Sequence, residues 1–182
     1  FGYNMYDGFM VGGIFTNYSL PPEKFRFLVA PFYATGSKSV SGFARIGYAH
    51  FSDGPIRKTE LSVAASTFSM DEFSPPASPA IKYRFSKLVP SLKLELNEDN
   101  PRSTRSRWIQ LKSYLIKEDL FSFRRDTTIT GIDTTITNVY GKQPSESNIN
   151  RLKLAIEDYR TLYPYSGELI IDQGKWFVRT SF

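Results

Sequence analysis

The stretch from Lys82 to Lys117 constrains the fold of this chain more than any other part of the sequence. It contains two long arms in which polar and apolar residues alternate. In the first arm Leu92, Leu94 and Leu96 alternate with Lys93, Glu95 and Asn97, and in the second arm Ile109, Leu111 and Leu115 alternate with Trp108, Gln110, Lys112 and Tyr114. A period of two is typical of a β-strand with one polar and one apolar face.

The two arms are joined by residues 97–103, Asn-Glu-Asp-Asn-Pro-Arg-Ser, which are residue types that favour a chain reversal. Both arms are longer than the usual strand of about 5–6 residues. Long alternating strands joined by tight turns are typical of a β-barrel that spans a membrane or holds a ligand. The stretch therefore predicts a β-hairpin within a larger antiparallel sheet.

The rest of the chain contains further segments of this kind, separated by turn residues. They are residues 7–18, 24–35, 40–51, 57–69, 149–161 and 168–182. Together with the two arms they predict an all-β fold, an antiparallel up-and-down meander of about eight long strands that forms an outer-membrane-type β-barrel or a partial barrel. Over residues 149–161 a helix is the competing interpretation, and the strict alternation from Arg151 to Ile156 favours a strand.

Two irregular features interrupt the predicted meander. The apolar positions change parity between Phe85 and Pro90, which predicts a β-bulge there. Residues 120–148 contain the repeat Asp-Thr-Thr-Ile-Thr twice, starting at Asp126 and at Asp133, and predict an inserted loop or hairpin. We expect one β-barrel domain over residues 1–182, a segment of a larger protein, with this insertion.

The connections also follow a pattern. Short turns occur near Pro21, Gly54, Pro101 and Pro164, whereas the longest connections are residues 70–80 and 120–148. In a meander alternate turns lie at the same end of the sheet, so short turns would lie at one end and long loops at the other. This arrangement is typical of outer-membrane barrels.

Composition agrees with a β protein that is polar on more than one side. Aromatic residues make up 15% of the chain and hydrophobic residues 41%, which suits a barrel with aromatic girdles and a wet interior. An ordinary β-sandwich is the alternative. The net charge of +5 is spread along the chain and forms no basic patch, so we expect no nucleic-acid partner. There is no cysteine and no apolar run of about 18 residues.

The sequence contains no recognisable catalytic or metal-binding motif. The zinc-peptidase signature His-Glu-x-x-His is absent, and His50 is the only histidine. Asp126 and Asp133 do not have the spacing of a calcium-binding EF-hand loop. We therefore expect no catalytic residue, no metal and no cofactor in this segment.

Charged residues recur on the predicted polar faces of the strands. The candidates for a position facing the barrel lumen are Arg26, Arg45, Glu60, Arg84, Lys93, Glu95, Lys112, Arg151, Lys153 and Glu157. Such a set could filter or bind a solute. The alternative is a solvated, salt-bridged interior that only allows the barrel to close. Charges on a lipid-facing surface would cost about 2–4 kcal/mol each near mid-bilayer, so the apolar faces must point outward if this is a membrane barrel.

Several short motifs resemble a known protein family. They are Tyr3-Asn4, residues 7–10 (Asp-Gly-Phe-Met), residues 17–22 (Asn-Tyr-Ser-Leu-Pro-Pro), residues 32–38 (Phe-Tyr-Ala-Thr-Gly-Ser-Lys), residues 89–92 (Val-Pro-Ser-Leu), residues 100–104 (Asn-Pro-Arg-Ser-Thr) and residues 159–165 (Tyr-Arg-Thr-Leu-Tyr-Pro-Tyr). With these motifs the chain resembles the C-terminal outer-membrane-like β-barrel region of Bacteroidetes-type proteins that also carry a gluzincin zinc metallopeptidase domain. The likeness covers most of the chain and is weakest over residues 120–148.

The resemblance implies a non-catalytic barrel segment in a bacterial outer membrane. Its partners would be outer-membrane lipid, a peptidase domain of the same parent protein and other outer-membrane proteins, and the barrel would continue beyond Phe182. Two alternatives stay open. One is a soluble β-barrel that binds a small hydrophobic ligand, and the other is a protein-interaction accessory domain. The exposed face of the strand from Leu92 to Leu96 distinguishes a lipid-facing apolar surface from a buried apolar core.

Overall fold

The computed structural model of the chain describes residues 1–76, 79–98, 100, 102–130, 133–158, 165–172 and 175–181. These residues form strands, turns and irregular segments, and they contain no helix. In chain order the strands are β1 (Gly2–Asn4), β2 (Gly8–Gly12), β3 (Phe15–Thr16), β4 (Phe25–Ala34), β5 (Ser39–Phe51), β6 (Ile56–Phe73), β7 (Ile81–Leu96), β8 (Arg105–Thr130), β9 (Asp133–Asp158), β10 (Tyr165–Asp172) and β11 (Lys175–Ser181).

All eleven strands belong to one antiparallel sheet. Its spatial order follows the chain from β1 and β2 through β4 to β11, and β3 pairs with β4 beside β2. The predicted all-β antiparallel meander is therefore confirmed, and residues 149–158 of the segment for which a helix competed with a strand are part of β9. Residues 159–161 of that segment lie outside the described residues. Among the described residues the first strands do not pair with β11, so the sheet is open and has the architecture of a partial barrel.

The strand register aligns apolar residues in rows that cross the sheet. One row runs through Phe25, Tyr48, Leu61, Leu92, Leu111 and Leu152, and its backbone register continues to Leu169 and Val178. Because successive side chains of a strand point to opposite faces, the six residues from Phe25 to Leu152 share one face of the sheet. We call this the apolar face. The opposite face, which carries Glu60, Lys93, Gln110 and Lys153 in one row, is the polar face.

The two longest strands, β8 and β9, form one hairpin. Their register is continuous from Arg105 paired with Asp158 to Thr130 paired with Asp133. Residues 120–130 and 133–148 are thus the distal part of this hairpin and not an irregular loop. The pairing of β8 with β7 stops at Glu118, but aromatic contacts of Phe73 with Phe121 and Tyr140, at ring-centroid distances of 5.0 and 5.1 Å, hold the hairpin near that point.

The predicted bulge between Phe85 and Pro90 is wrong. The register of β7 against β6 is continuous from Arg84 to Glu95, and its irregularities lie at Ile56/Lys58 and Ser69/Asp71. Odd-numbered residues of β7 therefore stay on the polar face throughout. The apolar pattern changes parity because Tyr83 and Phe85 are aromatic residues on the polar face, where Phe85 packs on Phe68 at 6.2 Å.

The pairing of β5 with β6 ends at Gly42 and Thr67, although β6 continues to Phe73. Gly42 has a φ of +147°, and a Cβ atom at this position would collide with the Ala30 carbonyl oxygen. Only glycine adopts this conformation at little cost. Beyond this point the backbone groups of β6 on that side are not paired by β5.

A cluster of buried polar side chains fills this gap, and we call it the Asp7 cluster. Asp7 lies in the turn between β1 and β2 and is fully buried. Its carboxylate accepts hydrogen bonds from Ser37 Oγ at 2.5 Å, Ser69 Oγ at 2.6 Å, the Ser69 backbone N–H at 3.0 Å, Ser41 Oγ at 3.3 Å and Asn4 Nδ2 at 3.3 Å. Burial alone raises the pKa of Asp7, but the bonds from Ser37, Ser69 and Ser41 outweigh it and hold the pKa below its ordinary value of 3.8.

Candidate functional site: the polar face

The two faces of the sheet differ in exposure. On the apolar face Leu61, Leu111 and Leu154 are 58%, 49% and 51% exposed. On the polar face Ser62 and Ser91 are each 8% exposed and Trp108 is 9% exposed. In a curved sheet the concave side is the more enclosed one. The sheet therefore curves around its polar face and presents its apolar face outward.

Glu60 is the centre of a first ionic group on the polar face. The side chain of this β6 residue is only 14% exposed, and its carboxylate contacts Lys58 Nζ at 3.0 Å, Arg26 at 3.1 Å and Arg45 at 3.3 Å. Arg26 comes from β4 and Arg45 from β5, so three strands converge on one carboxylate. Three cations around one enclosed carboxylate hold it in its charged form.

Glu95 on β7 is the centre of a second ionic group. Its carboxylate contacts Arg57 at 3.1 Å, Lys93 at 3.3 Å and Lys58 at 3.7 Å. Lys58 therefore bridges Glu60 and Glu95, and the two groups form one network. Each of these enclosed carboxylates is paired with several cations, which is less costly than an isolated buried charge.

The β8–β9 half of the polar face is different, because it carries cations and aromatic rings. A cavity of about 140 Å³ is lined by Trp108, Gln110, Lys112, Tyr114, Arg151 and Lys153. The ammonium groups of Lys93 and Lys153 lie 4.7 and 5.3 Å from the Trp108 ring centroid, and the Arg151 guanidinium lies 5.4 Å from that of Tyr114. Cations over aromatic faces are attracted by the ring quadrupole.

The structure thus brings together eight of the ten residues that the sequence predicted to face a lumen. Arg26, Arg45, Glu60, Lys93 and Glu95 form the ionic network, and Lys112, Arg151 and Lys153 line the cavity. The side chain of Glu157 lies outside the described part of the structure.

Arg84 is placed elsewhere. It has the opposite parity to Lys93 and Glu95 in β7, and its guanidinium donates to the Val40 carbonyl at 2.6 Å and to Ser41 Oγ at 3.4 Å. It belongs to the surroundings of the Asp7 cluster and takes no part in the ionic network.

Two functional residues escaped the sequence interpretation. Lys58 shares the parity of Glu60, so alternation along β6 could have identified it. Trp108 was assigned to the polar side of its arm, but its contact with Lys93 and Lys153 joins β7, β8 and β9 and has no local signal.

In the described ranges no helix has the length and hydropathy needed to cross a membrane. No group of three or more His, Cys, Asp or Glu residues in the same part of the chain could hold a metal ion. Comparisons with protein-family models, with curated proteins and with solved structures gave no match.

Proposed function

We propose that this chain is a non-catalytic segment of a bacterial outer-membrane β-barrel. The observation that carries the proposal is the exposure of the two faces, since aliphatic rows point outward while the ion pairs around Glu60 and Glu95 are enclosed. Membrane barrels alternate in this sense, apolar toward lipid and polar toward the lumen. A water-soluble sheet would bury its leucines against a second layer.

Strand length supports the same function. A tilted strand needs about 9–11 residues to cross a bilayer. The strands β4 to β9 have between 10 and 26 residues and meet this requirement. The longest pair, β8 and β9, would project well beyond the hydrocarbon region on one side.

The anchoring role of the segment is supported by motif likeness. The residues that resemble metallopeptidase-linked barrels include Asn4, Asp7, Gly36 and Ser37, which meet in or beside the Asp7 cluster. We propose that the segment anchors, or couples to, a metallopeptidase domain elsewhere in the full-length protein. The chemistry of peptide hydrolysis would then belong to that other domain.

Binding of a small hydrophobic ligand is a second candidate function. A groove of about 770 Å³ crosses the strands from β4 to β9, with Val29, Ala44, Leu88 and Leu115 among its lining residues. Its size lies in the range of ligand pockets. In a membrane barrel an acyl chain would fill this groove, because these four residues have apolar-face parity.

Detergent dependence tests the proposal. We expect the purified chain to stay folded and monodisperse only with detergent or lipid, and to aggregate when the detergent is diluted, since its leucine rows would meet water. Size-exclusion chromatography and circular dichroism before and after dilution measure this. A chain that remains a folded monomer in plain buffer would contradict the membrane assignment and favour the ligand-binding alternative.

A further inference from the structure

A second cavity on the polar face, of about 440 Å³, lies over the half of the sheet formed by β4 to β7. Two adjacent register rows form its floor. The first row is Leu28, Arg45, Ala64 and Val89, and the second is Phe43, Ser66 and Lys87. Ala64 has the same parity in β6 as Glu60, so this cavity lies on the enclosed side of the sheet, on the opposite face from the apolar groove.

Most of the cavity wall is apolar. Leu28, Ala64 and Val89 are aliphatic, and Phe43 and Tyr18 supply aromatic rings. Tyr18 lies in the connection before β4, and its ring centroid is 5.9 Å from the guanidinium of Arg26 on the polar face. The volume equals that of about fifteen water molecules at ~30 Å³ each, which is enough for the body of one small organic molecule.

Positive charge lies beside this apolar wall, because Lys87 also lines the cavity. Lys87 is half-buried, and within the described residues it forms no ion pair. Its register partners, Ser66 on β6 and Ile116 on β8, are both neutral. Glu118 lies one row further along β8 and does not line the cavity. A partly buried ammonium group of this kind favours the approach of an anion.

Arg45 is the second cation of the cavity. Its bond to Glu60, at 3.3 Å, uses one terminal nitrogen, and its side chain is 52% exposed. A guanidinium has five N–H donors, so Arg45 can bind a second carboxylate while it keeps Glu60. Among the described residues no carboxylate lines the cavity, so the oxygens for these donors would come from a ligand.

We infer that this cavity binds a small aromatic carboxylate. The ring of the ligand packs between Phe43 and the aliphatic floor at Leu28 and Val89, and its carboxylate accepts from Lys87, with Arg45 as the second donor. The site requires only β4 to β7 and the connection that carries Tyr18. It is therefore independent of whether the apolar face meets lipid.

A pair of probes that differ only in charge tests the ligand class. They are para-fluorophenylacetate and its uncharged amide, para-fluorophenylacetamide, each followed by fluorine NMR in the solution that keeps the chain folded. A titration of the same solution without protein subtracts any partition into detergent or lipid. We expect saturable binding of the carboxylate and binding of the amide that is weaker by about tenfold, since the amide cannot form the charge-assisted hydrogen bond to Lys87.

Two variants test the assignment of residues. Lys87→Gln should weaken binding of the carboxylate by about tenfold and leave binding of the amide unchanged, because only the charge contact is lost. Ala64→Leu places a larger side chain on the cavity floor between Arg45 and Val89, and it should weaken binding of both probes. Should Lys87→Gln lose its β-sheet circular dichroism, Lys87→Met takes its place, because methionine also removes the charge and keeps an unbranched apolar stem.

The matched control is Lys112→Gln. Lys112 is also a half-buried lysine of the polar face, but it lines the cavity beside Trp108 and not this one. The control removes the same charge from the same face, so it should bind both probes like the parent chain. An equal loss in Lys87→Gln and Lys112→Gln would overturn the inference, because the general positive field of the polar face would then attract the carboxylate.

Three further outcomes would overturn the inference. They are the absence of saturation with the carboxylate, equal affinity for the carboxylate and the amide, and unchanged binding of both probes in Ala64→Leu. None of these outcomes bears on the membrane proposal, which the detergent test decides. A chain that stays folded in plain buffer and binds the carboxylate at Lys87 contradicts only the membrane proposal.

Discussion

At the scale of single residues, the Asp7 cluster shows how side chains replace a missing strand. Where β5 leaves β6, the Ser69 backbone N–H donates to the Asp7 carboxylate at 3.0 Å and the Ser69 carbonyl accepts from Asn4 Nδ2 at 2.9 Å. The Asp7 carboxylate and the Asn4 amide thus bond both backbone groups of Ser69, as a neighbouring strand would. Buried backbone groups left without such partners would be costly.

The substitution Asp7→Asn tests this role. Loss of the charge weakens five hydrogen bonds at a fully buried site, so we expect the free energy of unfolding to fall by about 1–3 kcal/mol. Urea unfolding followed by circular dichroism, in the solution that keeps the chain folded, measures the change. Asp53→Asn, in the exposed turn after β5, is the control and should change the value by less than about 0.5 kcal/mol. Equal effects of the two variants would contradict the structural role of the cluster.

The same carboxylate gives stability a dependence on pH. Because the pKa of Asp7 is lowered in the folded state, its charged form stabilises the fold above the unfolded value of 3.8. This contribution is lost as the pH falls from 3.8 through the lower, folded pKa. We therefore expect the stability difference between wild type and Asp7→Asn to shrink over that acidic interval, as measured by unfolding at a series of pH values. A difference that grows on acidification would show the opposite sign of the pKa shift.

At the scale of elements, the hairpin of β8 and β9 has a paired base and a projecting tip. Beyond the aromatic contacts of Phe121, Phe123 and Tyr140, the described contacts of the tip are those between its own two strands and the ion pair of Arg124 with Asp126 at 2.8 Å. The tip carries both copies of the Asp-Thr-Thr-Ile-Thr repeat. Its removal should therefore leave the rest of the sheet intact.

A deletion of residues 127–130 and 133–136 tests this independence. It joins Asp126 to Gly131 and Ile132 to Thr137, and because Asp126 and Thr137 are register partners the shortened hairpin keeps its face alternation. We expect the free energy of unfolding to stay within about 0.5 kcal/mol of the parent. Phe73→Ala, which removes the contacts with Phe121 and Tyr140, should cost about 1–3 kcal/mol as the positive control. A deletion that destabilises as much as Phe73→Ala would mean that the tip supports the sheet.

Sequence periodicity could predict the elements but not every contact between them. The alternation of Leu92, Leu94 and Leu96 with Lys93 and Glu95 specifies strand β7 and both of its faces, because each face repeats every second residue. The prediction from alternation fails at Tyr83 and Phe85. These two aromatic side chains lie on the polar face, so the sequence pattern there looks like a change of register. The Asp7 cluster was not predicted at all, since Asp7 and Ser69 are 62 positions apart and nothing local links them.

At the scale of the whole molecule, the proposed membrane function requires that the apolar face contacts acyl chains. We expect Leu61→Lys, in the middle of the apolar row, to reduce stability in lipid vesicles by about 2–4 kcal/mol, because a lysine would enter the hydrocarbon region. The control is Leu20→Lys, in the connection between β3 and β4, where the side chain is 95% exposed. Flotation with vesicles and urea unfolding measure the effect. A Leu61→Lys variant as stable in vesicles as Leu20→Lys would show that this row does not face acyl chains.

The open ends of the sheet have a consequence for assembly. In the described part of the chain β1 and β11 each have a single neighbour, so each terminal strand presents a column of amide and carbonyl groups on its far side. Hydrocarbon offers these groups no hydrogen-bonding partner. A sheet that is stable in a bilayer therefore needs additional strands that close it, contributed by the same polypeptide or by a neighbouring subunit. These strands would pair, in antiparallel or parallel orientation, with the open edges of β1 and β11.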